Sequence, residues 1–140
     1  MEPATAVSAS IRARIIYGAL VMGILTFGAL AWALSEYSLP AGALPDRRVL
    51  YVALALVSAT AFGAAMFSVA RLPSPSGGTA VDDWWQLNLG RVVIVWALVE
   101  APTLLGVLAY VFTRDFRTLL APFIGLLFFA SYRPSRLTER

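Results

Sequence analysis

Charge-free apolar runs alternate along this chain with short segments in which charges, Pro and Gly collect. Residues 15–35 are 21 consecutive residues without a charge, and residues 49–70 are 22. A helix rises 1.5 Å per residue, so about 20 residues cross the roughly 30 Å hydrocarbon core of a bilayer. Both runs are therefore predicted to be transmembrane helices.

Two further runs follow the same pattern less cleanly. Residues 92–113 are 22 residues interrupted only by Glu100. Twelve of them are Val, Ile, Leu or Phe, whose insertion free energies outweigh a central acid costing about 3 kcal/mol. Residues 118–132 contain only 15 uncharged residues, about 22 Å of helix. We expect this run to span if Arg117 and Arg133 extend to the interfaces; a re-entrant or surface-lying segment is the alternative.

The connections predict where the helices begin and end. Pro and Gly residues break the chain between residues 39 and 45, and Asp46 is placed to cap the next helix. Residues 73–78, Pro-Ser-Pro-Ser-Gly-Gly, form a loop, after which Asp82 or Asp83 is expected to cap the third helix. The connection of residues 114–117 is so short that the third and fourth helices must be antiparallel neighbours.

The predicted fold is therefore an all-α integral membrane bundle of four transmembrane helices. It comprises a mobile leader over residues 1–10, one domain over residues 11–133 with spans at 15–35, 49–70, 92–113 and 118–132, and a polar tail over residues 134–140. A shift of 78 residues aligns residues 19–21 with 97–99 and Gly28 with Gly106, which leaves open an origin in two duplicated helical hairpins.

Composition supports the membrane and removes several classes of chemistry. The chain is 59% hydrophobic and 14% charged, against roughly 25% charged residues in soluble domains. It has no Cys and no His, which excludes thiolate chemistry, His-ligated haem and the usual zinc sites. No nucleophile and base pair is visible. We therefore predict no cofactor, no metal site and no enzymatic activity.

The net charge of +3 comes from arginines at the edges of the apolar runs, where they contact lipid headgroups rather than nucleic acid. With four spans, seven arginines fall on the side of both termini and four on the other side. The positive-inside rule then puts both termini in the cytoplasm of a bacterial inner membrane. The expected interfacial anchors are Trp84, Trp85, Arg91, Arg117 and Arg133.

Small residues at steps of four are candidate packing faces, because helices in lipid associate through close contact of small side chains. Such faces suit either a self-contained bundle or an oligomer. The predicted helix-packing residues are Ala19 and Gly23 in the first span, Ala55, Ala59 and Gly63 in the second, Ala97 and Ala101 in the third, and Ala121 and Gly125 in the fourth.

Glu100 lies near the middle of the third span, and an ionisable residue there is a functional-site hypothesis. Pro102 lacks an N–H, so the Leu98 carbonyl loses its helical partner, and Thr103 carries a hydroxyl on the same side. These oxygens suit a proton or a small cation. The alternative is a neutral acid that joins helices, or an unpaired surface position; the candidate hydrogen-bond partners are Thr26, Ser58, Thr60 and Ser68.

Residues 96–107, Trp-Ala-Leu-Val-Glu-Ala-Pro-Thr-Leu-Leu-Gly-Val, resemble the ion-carrying helix of the proteolipid subunits of rotary ATP synthases. This resemblance covers about a dozen residues and implies that Glu100 binds the coupling ion. The whole chain, with four spans flanked by Arg, is also similar to small four-span bacterial inner-membrane proteins without an assigned activity.

The sequence thus favours a non-enzymatic multi-pass membrane protein, a structural or accessory subunit that assembles through small-residue helix faces. Its expected partners are the lipid bilayer and either further copies of the chain or other membrane subunits. The alternative is a proton- or cation-coupled channel or transporter element that uses Glu100.

Overall fold

The computed structural model describes residues 7–34, 46–75 and 80–139, and this part of the chain is helical. Three helices are long and apolar enough to cross a membrane: α1 (Ala9–Leu34), α2 (Arg47–Ala70) and α3 (Val81–Thr113). A 3₁₀ turn (Phe116–Leu119), α4 (Leu120–Ser131) and α5 (Pro134–Thr138) follow.

The fourth apolar segment differs from a full span. The 3₁₀ turn and α4 together form one apolar stretch, Phe116–Ser131, which is shorter than the three long helices. The predicted polar tail is also different, because Pro134–Thr138 is helical and buries Pro134 and Leu137. These two side chains give α5 an apolar face, and Leu137 is part of the hydrophobic core.

Helix α3 is the centre of the fold, and α1, α2 and α4 all pack against it. The Ser10 amide donates to Asp82 Oδ1 at 2.9 Å, so α1 and α3 begin at the same end and run parallel. The Tyr51 hydroxyl donates to Asp115 Oδ2 at 2.6 Å, which joins the start of α2 to the end of α3. Helices α1 and α2 lie on different faces of α3 and have little direct contact. The two hairpins suggested by the 78-residue shift, α1 with α2 and α3 with α4, therefore differ: α3 and α4 pack against each other, whereas α1 and α2 do so only slightly.

Helix capping agrees with the sequence at one helix and differs at another. Asp46 caps α2 as predicted, since its carboxylate accepts from the Arg48 amide at 2.9 Å. Helix α3 instead begins after Ala80, which makes no side-chain cap. Asp82 caps α1 through Ser10, because the first turns of two parallel helices lie side by side. The predicted breaks at residues 39–45 lie outside the described residues, as do residues 1–6 of the leader and residues 76–78, the Ser-Gly-Gly part of the second loop.

Trp84 and Trp85 are 4% and 2% exposed, so they pack inside the protein, which differs from the headgroup contact predicted for them. The Trp84 indole N–H donates to the Pro73 carbonyl at 2.8 Å, and the two indole rings make an edge-to-face contact. Helix α3 begins eleven residues before the predicted span, and the ends of neighbouring helices cover that extension. The arginine anchors Arg91, Arg117 and Arg133 are exposed; their depth in a bilayer remains a prediction.

The end of α4 is held by aromatic donors from other helices. The last carbonyls of a helix have no partner within it, and such groups are costly to leave unpaired in lipid. The Tyr17 hydroxyl of α1 donates to the Phe129 carbonyl at 2.8 Å, and the Trp96 indole N–H of α3 donates to the Tyr132 carbonyl at 3.0 Å. The short helix α4 therefore ends against α1 and α3 with these carbonyls paired.

Small residues bring α3 and α4 close together. A Cβ added at Gly106 would meet the Pro122 ring, the Thr118 carbonyl oxygen at 2.8 Å and Ala121 Cβ at 3.0 Å, and one added at Gly125 would overlap the Thr103 hydroxyl. Ala121 and Gly125 are accordingly buried. The other predicted packing residues are exposed and do not pack within the chain, because the helices turn different faces to α3: Ala19, Gly23, Ala55, Ala59, Gly63, Ala97 and Ala101.

Candidate functional site

Glu100 lies on α3 and is half-buried. It is seven residues after Val93 and four before Leu104, so the three residues share one face of the helix. Val93 and Leu104 are partly buried against the hydrophobic core. Within residues 7–34, 46–75 and 80–139, the Glu100 carboxyl forms no hydrogen bond and no ion pair. The acid therefore lies at the margin of the packed interior, next to apolar side chains.

Thr103 forms its side-chain hydrogen bond within α3 and not with Glu100. Its hydroxyl donates to the Val99 carbonyl at 2.6 Å, and the residue is fully buried where α3 meets Gly125 of α4. A Thr hydroxyl in a helix readily bonds the carbonyl four residues earlier, which holds it along its own helix. The Thr103 hydroxyl proton is therefore used within α3, and the predicted group of Glu100, Thr103 and the Leu98 carbonyl stays a prediction; Pro102 lies buried inside α3.

The four candidate partners of Glu100 are also placed elsewhere. Thr26 and Thr60 are exposed, Ser68 is half-buried and Ser58 is buried in α2. The Ser58 hydroxyl has no hydrogen-bond partner in the described part of the chain. No group of three acidic residues that could hold a metal ion occurs among the described residues.

An open apolar face of α3 lies beside Glu100. Ala97, three residues before Glu100, and Ala101, one residue after it, are exposed, and larger apolar residues extend the same surface toward both ends of the helix. The exposed large residues of this face are Ile94, Leu105, Leu108 and Phe112. Because Ala97 and Ala101 are small, another helix could approach α3 closely at the level of Glu100.

A second feature is a groove between α2 and α4, here called the α2–α4 groove. These helices touch only sparsely, and the space between them is a cavity of about 420 Å³. Tyr51 and Arg117 lie at one end and Phe62 at the other. The remaining lining residues are Leu54, Ala55, Ser58, Ala59, Thr118, Leu120, Ala121 and Ile124.

Asp115 organises the charged end of the α2–α4 groove. Its carboxylate accepts from the Tyr51 hydroxyl at 2.6 Å and from the Arg117 amide at 2.9 Å. These hydrogen bonds, with the nearby positive charges of Arg117 and Arg47, hold the pKa of Asp115 below its usual range. A carboxylate stabilised in this way stays ionised at neutral pH.

Sequence reasoning missed Tyr51, Asp115 and the groove position of Ser58. The available signal was topological: the second and third helices are antiparallel, so the start of one and the end of the other must lie at the same end. A Tyr one turn into α2 and an Asp just after α3 could have been paired on that ground. No family profile, curated protein or solved structure matches this chain.

Proposed function

We propose that this chain is a multi-pass integral membrane protein of a bacterial inner membrane that acts as a non-enzymatic structural or accessory subunit. The observation that carries this proposal is Glu100, a half-buried acid on a long apolar helix with no partner in the described part of the chain. An acid in the hydrocarbon core is costly unless it is paired or faces protein. A helix from another subunit, or from a second copy, supplies the partner.

The surroundings of Glu100 favour a helix as that partner. Ala97 and Ala101 are exposed on the adjoining surface, and small residues let two helices approach closely enough for a carboxyl to hydrogen-bond across the contact. Interhelical hydrogen bonds of this kind contribute about 0.6 to 2 kcal/mol. Assembly through this face would therefore pair the acid and cover an apolar surface at once.

In the proposed topology the chain crosses the membrane four times, with both termini in the cytoplasm. The 3₁₀ turn, α4 and α5 together return along α3, and the Trp96 contact with Tyr132 supports this path. The hydrogen bonds at the two ends of the bundle also support it. Arg47 and Arg117 lie near Asp115 at one end of the bundle. Arg12 and Arg14 lie at the other end, two and four residues after Ser10, whose amide is bonded to Asp82.

The test is the oligomeric mass of the purified chain in a mild detergent, alone and with co-purified membrane proteins, for wild type and two variants. Glu100→Gln keeps the hydrogen bond and should assemble as wild type. Glu100→Ala should weaken assembly by about three- to thirtyfold, the range that 0.6 to 2 kcal/mol implies. Ala97→Leu should weaken it by blocking close approach, whereas Ala29→Leu, on the exposed side of α1, is the matched control.

The same variants separate the proposal from ion coupling. Proton or cation flux in reconstituted vesicles that is lost in Glu100→Gln, with assembly intact, would favour a coupled transport element and overturn the structural role. Full assembly of Glu100→Ala and Ala97→Leu would equally reject this face as the contact.

A further inference from the structure

The α2–α4 groove has the size and composition of a binding site. Its volume of about 420 Å³ lies within the 300 to 1,000 Å³ typical of ligand sites. Apart from its charged end, the groove is lined mainly by aliphatic side chains and the ring of Phe62. An occupant must therefore be largely apolar.

The length of the groove matches one leaflet of a bilayer. From Tyr51 to Phe62, α2 advances eleven residues, roughly 16 Å. Half of the hydrocarbon core is about 15 Å thick. An acyl chain that enters at Tyr51 and follows α2 would thus reach Phe62 near the midplane.

The mouth of the groove carries positive charge where a lipid headgroup would lie. Arg117 lines the groove, and Arg47 is near enough to act on Asp115. The described charged residues at this end are four arginines and two aspartates, so their net charge is positive: Asp46, Arg47, Arg48, Arg114, Asp115 and Arg117. Arginine suits phosphate because its planar guanidinium forms paired hydrogen bonds with phosphate oxygens.

Ser58 is the buried polar residue of the groove wall. It is 9% exposed and lines the groove, and its hydroxyl is without a hydrogen-bond partner in the described part of the chain. Buried hydroxyls are normally paired. The Ser58 oxygen itself has almost no exposed surface, so it is the length of the groove and the charge at its mouth that indicate a lipid.

We infer that the α2–α4 groove binds one anionic phospholipid, with an acyl chain between α2 and α4 and the phosphate beside Arg117. The inference is independent of the role proposed for Glu100, because Glu100 is not among the residues that line this groove.

The experiment measures lipid retention by native mass spectrometry of the full chain released from detergent, titrated with phosphatidylglycerol or with phosphatidylcholine. Wild type should retain one phosphatidylglycerol in preference to phosphatidylcholine. Arg117→Gln should weaken retention about fivefold, because one arginine near an anionic surface contributes about that factor. Arg14→Gln, an exposed arginine at the opposite end, is the matched charge control.

Filling the groove tests the acyl-chain part of the inference. Ala55→Leu with Ala59→Leu adds bulk to two exposed groove positions and should abolish specific retention, whereas Ala29→Leu should leave it unchanged. Circular dichroism checks that each variant is folded. Should the double variant fail to fold, a photoactivatable phosphatidylglycerol bound to wild type should label peptides of α2 and α4.

Three results would overturn the inference. Equal retention of the two lipids, with no effect of Arg117→Gln, would remove the headgroup contact. Displacement of phosphatidylglycerol by inorganic phosphate alone would indicate a free-phosphate site. Labelling confined to other helices, or a dimer whose second copy covers α2 and α4 and excludes lipid, would assign the groove a different occupant.

Discussion

The contact between α3 and α4 depends on two glycines, and replacing one of them gives a sharp test of the fold. In Gly106→Ala the new Cβ would overlap the Pro122 ring and lie 2.8 Å from the Thr118 carbonyl oxygen. The carbonyl is backbone and cannot move aside without shifting the 3₁₀ turn. Overpacking of this kind costs about 1 to 3 kcal/mol, and the involvement of backbone puts Gly106→Ala toward the upper value.

Gly63 is the matched control, because a Cβ added there has nothing within 4 Å. Gly63→Ala should be neutral or should stabilise α2 by up to about 1 kcal/mol, the difference in helix propensity between Gly and Ala. The two substitutions are chemically identical and both replace Gly inside a helix, so the expected gap between them of about 2 to 3 kcal/mol reports only the packing around each glycine.

The assay is reversible unfolding of the purified protein in mixed micelles of mild detergent and dodecyl sulfate, followed by circular dichroism. Gly125→Ala, whose Cβ would overlap the Thr103 hydroxyl, should behave like Gly106→Ala, although a side chain can yield more readily than backbone. Equal midpoints for Gly106→Ala and Gly63→Ala would refute the close approach of α3 and α4.

Three other predictions concern single polar side chains. Tyr17→Phe leaves the Phe129 carbonyl unpaired and should lower the free energy of unfolding by about 1 kcal/mol in the same assay, whereas an unchanged midpoint would argue against this contact. The lowered pKa of Asp115 stabilises the fold above the unfolded-state pKa of about 3.9, and this stabilisation is lost as the pH falls through the folded-state value. Tyr51→Phe removes the hydrogen bond that lowers the pKa of Asp115 most. The free energy of unfolding should therefore fall less between pH 6 and pH 2.5 in this variant than in wild type, and an identical fall would contradict the role of the Tyr51 hydrogen bond. Ser58→Ala removes an unpaired buried hydroxyl and should be neutral or stabilising by about 1 kcal/mol in the same assay; a clear loss of stability would show that the hydroxyl is paired.

The helical class and the three long helices could be predicted because both depend on one-dimensional properties. Residues 49–70 predicted a long apolar helix, which the structure forms as α2, Arg47–Ala70, and Asp46 was predicted to cap it. The length of a charge-free run does not depend on what the helix later packs against, and the Asp46 cap joins residues only two apart in the chain.

The faces of the helices could not be predicted in this way. Each long helix is apolar around its whole circumference, so no polar stripe marks the outside, and steps of four small residues occur on several faces. Ala55, Ala59 and Gly63 formed the most regular stripe in the sequence and are exposed. Gly106, outside any predicted stripe, lies in close contact with α4, as does Gly125, which was predicted to pack.

The sequence by itself determined that Glu100 is a charge within an apolar helix. Only the tertiary structure decided that Thr103 turns to α4, that Asp82 caps a different helix, and that Tyr51 meets Asp115 across a groove. These contacts join residues far apart in the chain, and they follow from how α1, α2 and α4 are arranged around α3. That arrangement is set by close packing of small and aromatic side chains, a three-dimensional property that hydropathy along the chain does not record.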